Sequence, residues 1–370
     1  MAEENPIQTN DFKYWVAFSR ILKIGPIRFR RLYHYFRDAG AAWRANLAEL
    51  MASGLEEKLA DEIIILRSQI DPDAELEKMA SEKIGALRVI DEDYPALLKQ
   101  IFDPPFLLYY KGDLTGLKNP CVAVVGTRKF SPYGQRAAEN LAGDLAAQGI
   151  TIVSGLALGI DAIAHAAVLA SHGLTAGVLG SGLDEANIFP STNRHLAHQI
   201  VEHGGCLLSE FPLGTYPTKQ NYPRRNRIIA GLSLGALIIE AKESSGSLIT
   251  AKCALNENRE VFAVPGSIYS SNSFGTNQLI KQGAKMVTTA QDILDELNLG
   301  STKEIMAPQA AINLSGEEKN ILTYLSSEPL HIDKISQLSQ TKINVLLSTL
   351  AILEMKNIVK DLGGKNYILK

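Results

Sequence analysis

The chain has 370 residues, 46% of them hydrophobic and 21% charged, with a formal net charge of −3. That length suits two or three domains with enough apolar material for real cores, and the near balance of charge excludes a globally basic nucleic-acid coat, so a polyanion site must be a local patch. The three cysteines, Cys121, Cys206 and Cys253, form no CxxC pair and read as small buried hydrophobes in a reducing compartment; with a polar N-terminus and no apolar run near the ~18 residues that span a bilayer, a cytoplasmic protein without membrane association is expected.

Residues 11–85 read as helices, because Trp15, Phe18, Ile21 and Leu22, then Leu32, Tyr35 and Phe36, recur at helical spacing. Ile24-Gly25-Pro26 interrupts them. The break is either a helix-hairpin-helix turn that offers backbone N–H groups to phosphate or a plain helical turn. Residues 1–85 are therefore expected to form an N-terminal helical domain of helix-hairpin-helix or SAM-like type. From Cys121 onward short apolar runs alternate with amphipathic helices, at 121–125, 150–153, 174–179, 206–208, 236–239, 261–264 and 285–287. Seven such strands predict an α/β core over 86–298, an extended Rossmann-like parallel sheet covered on both faces, with ligands at the carboxyl ends of the strands. Residues 299–312 are polar, contain a proline and lack periodicity, which predicts a linker. Residues 313–370 carry three helical patterns and a strand–turn–strand around Gly363-Gly364, a winged-helix domain. Its seven lysines against six acids give it little of the charge footprint of a duplex reader, so a protein-interaction or accessory role suits it better.

The first strand of the core leads into Gly126-Thr127-Arg128. A dinucleotide enzyme needs G-x-G-x-x-G here and an acid about 20 residues on; the single glycine and the Ser154-Gly155 ending of the second strand supply neither, so no cofactor is expected. Arg128 stands where a Rossmann protein accepts phosphate, and its guanidinium forks onto that anion unless it is simply a solvated surface arginine. Other strand exits are stripped of bulk, at Ser154-Gly155, Gly180-Ser181-Gly182 and Gly246-Ser247 before a helix, which lets backbone approach phosphate or sugar. The segment from Tyr216 to Arg227 carries Lys219, Arg224, Arg225 and Arg227, with Asn226 between the last two and with Tyr216 and Tyr222 interleaved; no acid occurs between Phe211 and Ile239. Cations that track a phosphate backbone beside aromatics that stack on bases are the signature of single-strand binding.

Three motifs are rejected as chemistry. Gly231-Leu232-Ser233-Leu234-Gly235 fits G-x-S-x-G, but a nucleophile elbow needs a strand before and a helix after, and the order here is reversed. Asp161 and His165 share a helix face, yet no third metal ligand is in register, so a structural role is preferred and no metal is expected. No P-loop or H-E-x-x-H occurs. A non-enzymatic protein is expected.

The residues also resemble a family. Asp93-Tyr94-Pro95, Asp103-Pro104-Pro105, Val125-Gly126-Thr127-Arg128, Ser154-Gly155-Leu156-Ala157-Leu158-Gly159-Ile160-Asp161 with His165, the run from Pro223-Arg224-Arg225-Asn226-Arg227 to Ser233, Glu240-Ala241, the run from Ser245-Gly246-Ser247 to Ala251, and Val261-Phe262-Ala263-Val264-Pro265-Gly266 closely resemble the DprA (Smf) family, bacterial DNA-processing proteins of natural transformation. The resemblance is strong over about 91–297 and weaker in the flanks. It implies an extended Rossmann fold that binds single-stranded DNA, forms a homodimer, protects incoming strands and loads the recombinase RecA onto them. It would place Arg128, Lys219, Arg224, Arg225 and Arg227 on the DNA. Two positions depart from the family pattern: Ser191 and Leu158 stand where relatives often carry cations, which removes positive charge from the site. The alternative is a Rossmann-like nucleotide hydrolase related to the lysine-decarboxylase-like phosphoribohydrolases. Those carry P-G-G-x-G-T-x-x-E, whereas Ser245-Gly246-Ser247-Leu248-Ile249-Thr250 has no acid after it until Glu257.

Overall fold

Residues 11–299, 315–326, 329–356 and 358–369 are described by the computed structural model, and the first of them are helical: α1 (Phe12–Ser19), α2 (Pro26–Phe36), α3 (Ala39–Arg44), α4 (Leu47–Ala52), α5 (Glu57–Arg67) and α6 (Pro72–Ser81). Their starts are written in the sequence. Gly25 is extended and Pro26 opens α2, where a missing N–H breaks no helical bond. Asp38 caps α3, Asn46 and Glu49 form a capping box on α4, and Asp71 accepts from the amides of Asp73 and Ala74 ahead of α6. The apolar faces meet in an aromatic cluster in which Phe29 stacks on Phe106 at 4.1 Å between ring centroids and Trp15 lies 4.6 Å from Phe29.

The sheet has nine strands: β1 (Gly85–Arg88), β2 (Leu107–Gly112), β3 (Cys121–Val125), β4 (Thr151–Ser154), β5 (Thr175–Val178), β6 (Cys206–Ser209), β7 (Gly235–Ile238), β8 (Glu260–Ala263) and β9 (Lys285–Met286). They lie in the order β1-β2-β6-β5-β4-β3-β7-β8-β9. The seven strands expected from the apolar runs are all present and mutually parallel. β1 and β2 were not expected; they extend the sheet antiparallel from β6. β1 is four residues, Gly-Ala-Leu-Arg, too short to show alternation, and it follows a helical pattern directly.

The intervening helices are α7 (Ala96–Lys99), α8 (Pro132–Ala147), α9 (Ile160–Ala170), α10 (Arg194–Glu202), α11 (Asn221–Gly231), α12 (Ser247–Asn256), α13 (Phe274–Lys281) and α14 (Ala290–Glu296). Successive residues of β3 point to opposite faces. Val122 and Val124 enter a core with α8, α9 and α14, whereas Cys121, Ala123 and Val125 enter one with α7, α11 and α12. A third core joins the N-terminal helices to the sheet, because Trp15, Phe18, Phe29 and Leu32 cluster with Tyr109, Leu156, Leu179 and Leu207. Tyr109 Oη lies 2.6 Å from Ser19 Oγ at this junction. β3 and β7 are adjacent, although the strands between them in sequence lie on the far side of β3. That reversal is the switch point at which open α/β sheets bind ligands.

The chain divides into two compact units, Met1–Thr302 and Lys303–Lys370. The linker read over 299–312 lies outside the described residues apart from Leu299. In the second unit α15 (Gly316–Leu322), α16 (Ile332–Ser339) and α17 (Ile343–Met355) enclose Ile321, Ile335, Leu346, Leu350 and Leu353. Strands β10 (Leu330–His331), β11 (Val359–Asp361) and β12 (Asn366–Leu369) pair in the order β10-β12-β11. This is a winged helix; the expected hairpin is β11–β12, turned by Gly363 and Gly364 with positive φ, and β10 adds a third strand.

Candidate nucleic-acid interface

The carboxyl ends of β3, β4 and β5 form the floor of the candidate site, and small residues there are needed for close packing. At Gly159 the backbone has φ of +84°, and a Cβ would lie 2.5 Å from the carbonyl oxygen of Thr127, so the β3 and β4 exits touch backbone to backbone. A Cβ on Gly155 would meet the Arg225 guanidinium at 2.5 Å and Asp161 Oδ2 at 2.6 Å. Gly180 faces the Tyr222 ring, its carbonyl accepting from Asn221. Ser154 and Ser181 are buried, their hydroxyls donating to the carbonyls of Val124 and Asn187. Thr127 is buried with its Oγ1 accepting from Lys129 N, and the Gly182 amide donates to Thr215 O. These residues shape the floor while their polar side chains are already engaged. Gly126 and Gly246 differ: Gly126 is half-buried against Ile160, and Gly246 is exposed with open space where a Cβ would go. Ser247 is buried, its hydroxyl 2.8 Å from that of Ser245.

The cations of α11 diverge, as residues spaced by 100° on a helix must. Arg225 was expected to be exposed; the structure buries it to 4% exposure. Its Nη1 donates to the carbonyls of Gly155, at 2.6 Å, and Val178, tying together the ends of β4 and β5. Asp161 flanks the same glycine and accepts from Gly155 N at 3.1 Å. Burial raises the Asp161 carboxyl above its ordinary value, against the pull of Arg225 and of the Gly126, Ala157 and Gly155 amides. Arg227 also turns inward, donating to Asp103 O at 2.6 Å and pairing with Glu210 and Asp103. Arg227 lies in the second turn of α11 and is held by acids from the segment before β2 and from the exit of β6. Asn226 is buried, and its amide donates to Gly246 O. Arg224 stays exposed, 5.4 Å from the Phe211 ring and 4.0 Å from Glu210. Lys219 is exposed, and Arg128 is exposed 5.5 Å from the centre of the Tyr222 ring, which Arg225 also approaches, at 5.8 Å. The structure therefore leaves Arg128, Lys219 and Arg224 facing solvent and assigns Arg225 and Arg227 to internal contacts.

One determinant of this edge enters the sequence analysis only within a family motif, with no role assigned to it. Glu240, at the end of β7, is 2% exposed. Its carboxylate accepts from Ser131 N at 2.9 Å, Ser131 Oγ at 2.6 Å and Asn272 Nδ2 at 3.2 Å. A Cβ on Gly134 would lie 2.3 Å from Glu240 Oε2. An internal carboxylate thus lies against the first turn of α8, the place where a dinucleotide fold receives a phosphate. The signal available in the sequence was Ser131-Pro132, a cap and first-turn proline.

Ser233 is fully buried and donates to Ile229 O, and the order α11, Ser233, β7 keeps it off any strand-to-helix elbow. His165 Nδ1 lies 2.7 Å from Thr175 Oγ1, whose own hydrogen goes to Ile152 O. Nδ1 is therefore the protonated nitrogen, and burial pushes the ring down to about 3. Among the described residues no group of three His, Cys, Asp or Glu is placed to hold a metal, and no helix is long and apolar enough to cross a membrane. Leu158 and Ser191 are exposed on neighbouring loops, which Asn193 joins by donating to Leu156 O and Ala157 O.

The family model for DNA recombination-mediator protein A matches residues 86–298, and that for the DprA winged helix domain matches 306–365. Protein Smf of Synechocystis is 34% identical over 96% of this chain and 98% of its own length. DNA processing protein DprA of Streptococcus pneumoniae is 46% identical over 62% of this chain and 79% of its own. The X-ray structure of DprA from S. pneumoniae superposes with a TM-score of 0.66 at 38% identity, covering 77% of this chain and 97% of that one. A Helicobacter pylori DNA processing protein A structure, described for its single-stranded DNA binding mode, gives 0.53 at 32% identity over 59% and 96%.

Proposed function

The chain belongs to the DNA recombination-mediator protein A family, and on that premise we propose that it binds single-stranded DNA across the carboxyl edge of its sheet. The observation that carries this reading is the trio of solvent-facing cations, Arg128 over the Tyr222 ring, Arg224 over the Phe211 ring and Lys219 on the loop before α11, around a floor of small residues. Cations that follow a backbone beside an aromatic face bind single strands with little regard to sequence. The H. pylori relative described for single-stranded DNA binding supports it. In this reading the protein acts in the cytoplasm as a non-enzymatic homodimer that protects incoming strands and passes them to the recombinase RecA.

Mobility-shift titrations with single- and double-stranded DNA across a salt series test the reading. Single strands should bind more tightly per nucleotide. Arg128→Ala should weaken binding to every sequence alike, because phosphate contacts position without specifying, and should lower the salt slope by about 0.7. Equal competition by blunt duplex, or an Arg128→Ala protein that binds like the parent at every salt concentration, would show the reading to be wrong.

A further inference from the structure

The exposed face of α2 carries positive charge that the sheet-edge site does not use. Between Phe12 and Arg37 the sequence has seven cations and no acid. Four of the cations are engaged elsewhere: Lys13 with Asp73, Arg20 with Glu75, Lys23 with Glu62 and Arg28 with Glu56. Arg30, Arg31 and Arg37 are exposed with no partner among the described residues. Ile27, Arg30, Arg31 and His34 follow one another at i, i+3, i+4 and i+7, which makes them a single stripe on the helix. All four are exposed, whereas Phe29 and Leu32 on the other side are buried in the aromatic core.

This stripe is continuous with the candidate interface. A narrow cleft is lined by Gly25 and Pro26 of the turn together with Phe211, Pro212 and Arg224. A wider one of about 440 Å³ shares Gly25 and Pro26 and reaches Ile27, Arg28 and Arg31. Along the two clefts Glu56 is met by Arg28, and Asp103 and Glu210 together by Arg227 and Arg224, so the unbalanced charge belongs to the arginines of the stripe.

We propose that the stripe formed by Ile27, Arg30, Arg31 and His34 is a second phosphate-binding surface, which receives the backbone of the same single strand as it leaves Arg224 and passes the Gly25-Pro26 turn. The proposal rests on the single-strand reading of the sheet edge. α2 adds about 16 Å of track, and the adjacent guanidinium forks of Arg30 and Arg31, midway along it, suit neighbouring phosphates. The consequence is a dependence on strand length: a short strand fills the sheet edge alone, and a longer one engages α2 as well.

Fluorescence anisotropy with oligothymidylates of about six and about sixteen nucleotides, near the two ends of single-strand site sizes, tests this across a salt series. In the Arg30→Glu/Arg31→Glu protein, binding of the short strand should match the parent. For the long strand the affinity should fall and the salt slope should drop by about 1.4, two contacts at about 0.7 each. The melting temperature should hold, since Phe29 and Leu32 carry the packing; if it falls, the milder Arg30→Ala/Arg31→Ala protein carries the same comparison. Long-strand binding that stays at the parent level, or an equal loss on both lengths, overturns the α2 surface. A parent protein that binds neither length overturns the sheet-edge reading itself.

Discussion

At the scale of single residues, the arginines of α11 have opposite consequences. Removing Arg225 leaves the carbonyls of Gly155 and Val178 without this donor and Asp161 without its counter-charge. Loss of one partner from such a buried arrangement costs about 3–5 kcal/mol. Arg225→Ala should therefore lower the melting temperature strongly, and Arg225→Lys should rescue it poorly, because an ammonium cannot reproduce the planar fork. Thermal unfolding of both variants beside Arg128→Ala checks this; an Arg225→Ala protein as stable as the parent would remove Arg225 from the fold. A cluster written Arg-Arg-Asn-Arg in the sequence shows that positive charge is concentrated. It does not show which side chains reach water, because that depends on carbonyls contributed by β4 and β5 from up to 70 residues away. The exposed position of Arg128 was legible because its place just after the first strand of the parallel sheet puts it at the sheet's carboxyl edge whatever surrounds it.

At the scale of elements, α9 links the sheet edge to acid stability. His165 is buried with its ring held down at about 3, well below the 6.5 of an unfolded chain. The unfolded state therefore binds more protons between these values, so the stabilisation is complete above about pH 6.5 and is lost as pH falls toward 3. Melting temperatures measured across that window should decline, and the decline should be shallower in His165→Gln. Identical slopes would show that His165 is not the titrating group. The elements themselves were readable to different degrees. β3 through β8 stand out because strands of a sheet covered on both faces are largely apolar, and each is followed by a helix, whereas β9 is an exposed edge pair, Lys285-Met286, found through the apolar Val287 that follows it. β1 and β2 escape notice because they join the sheet at its antiparallel edge. Their partners, β6 and each other, cannot be inferred from local pattern, and Pro104 and Pro105 just before β2 suggest a loop. Glu240 was hidden for a related reason: its partners Ser131 and Asn272 lie 109 and 32 residues away.

At the scale of the whole molecule, the second unit has its own core and a nearly balanced charge, and the proposed strand path lies wholly within the first. A protein comprising residues 1–302 should keep most of its single-strand affinity; a loss above about tenfold, 1.4 kcal/mol, would make the winged helix a principal DNA-binding surface. The first unit reads in the sequence as a helical segment followed by an α/β segment. Its packing joins them: Phe29 lies on Phe106, Ser19 meets Tyr109, and Leu156, Leu179 and Leu207 of the sheet share one apolar cluster with α1 and α2. Denaturation should follow that junction and not the sequence. Helices and sheet should lose structure in a single cooperative step, with the same denaturant midpoint by far-ultraviolet dichroism and by Trp15 and Trp43 fluorescence, and the winged helix should contribute a separate transition. The helices that receive the strand in the α2 proposal would then be as resistant to local opening as the sheet itself, so a bound strand would meet a surface already held in place by the sheet's own stability.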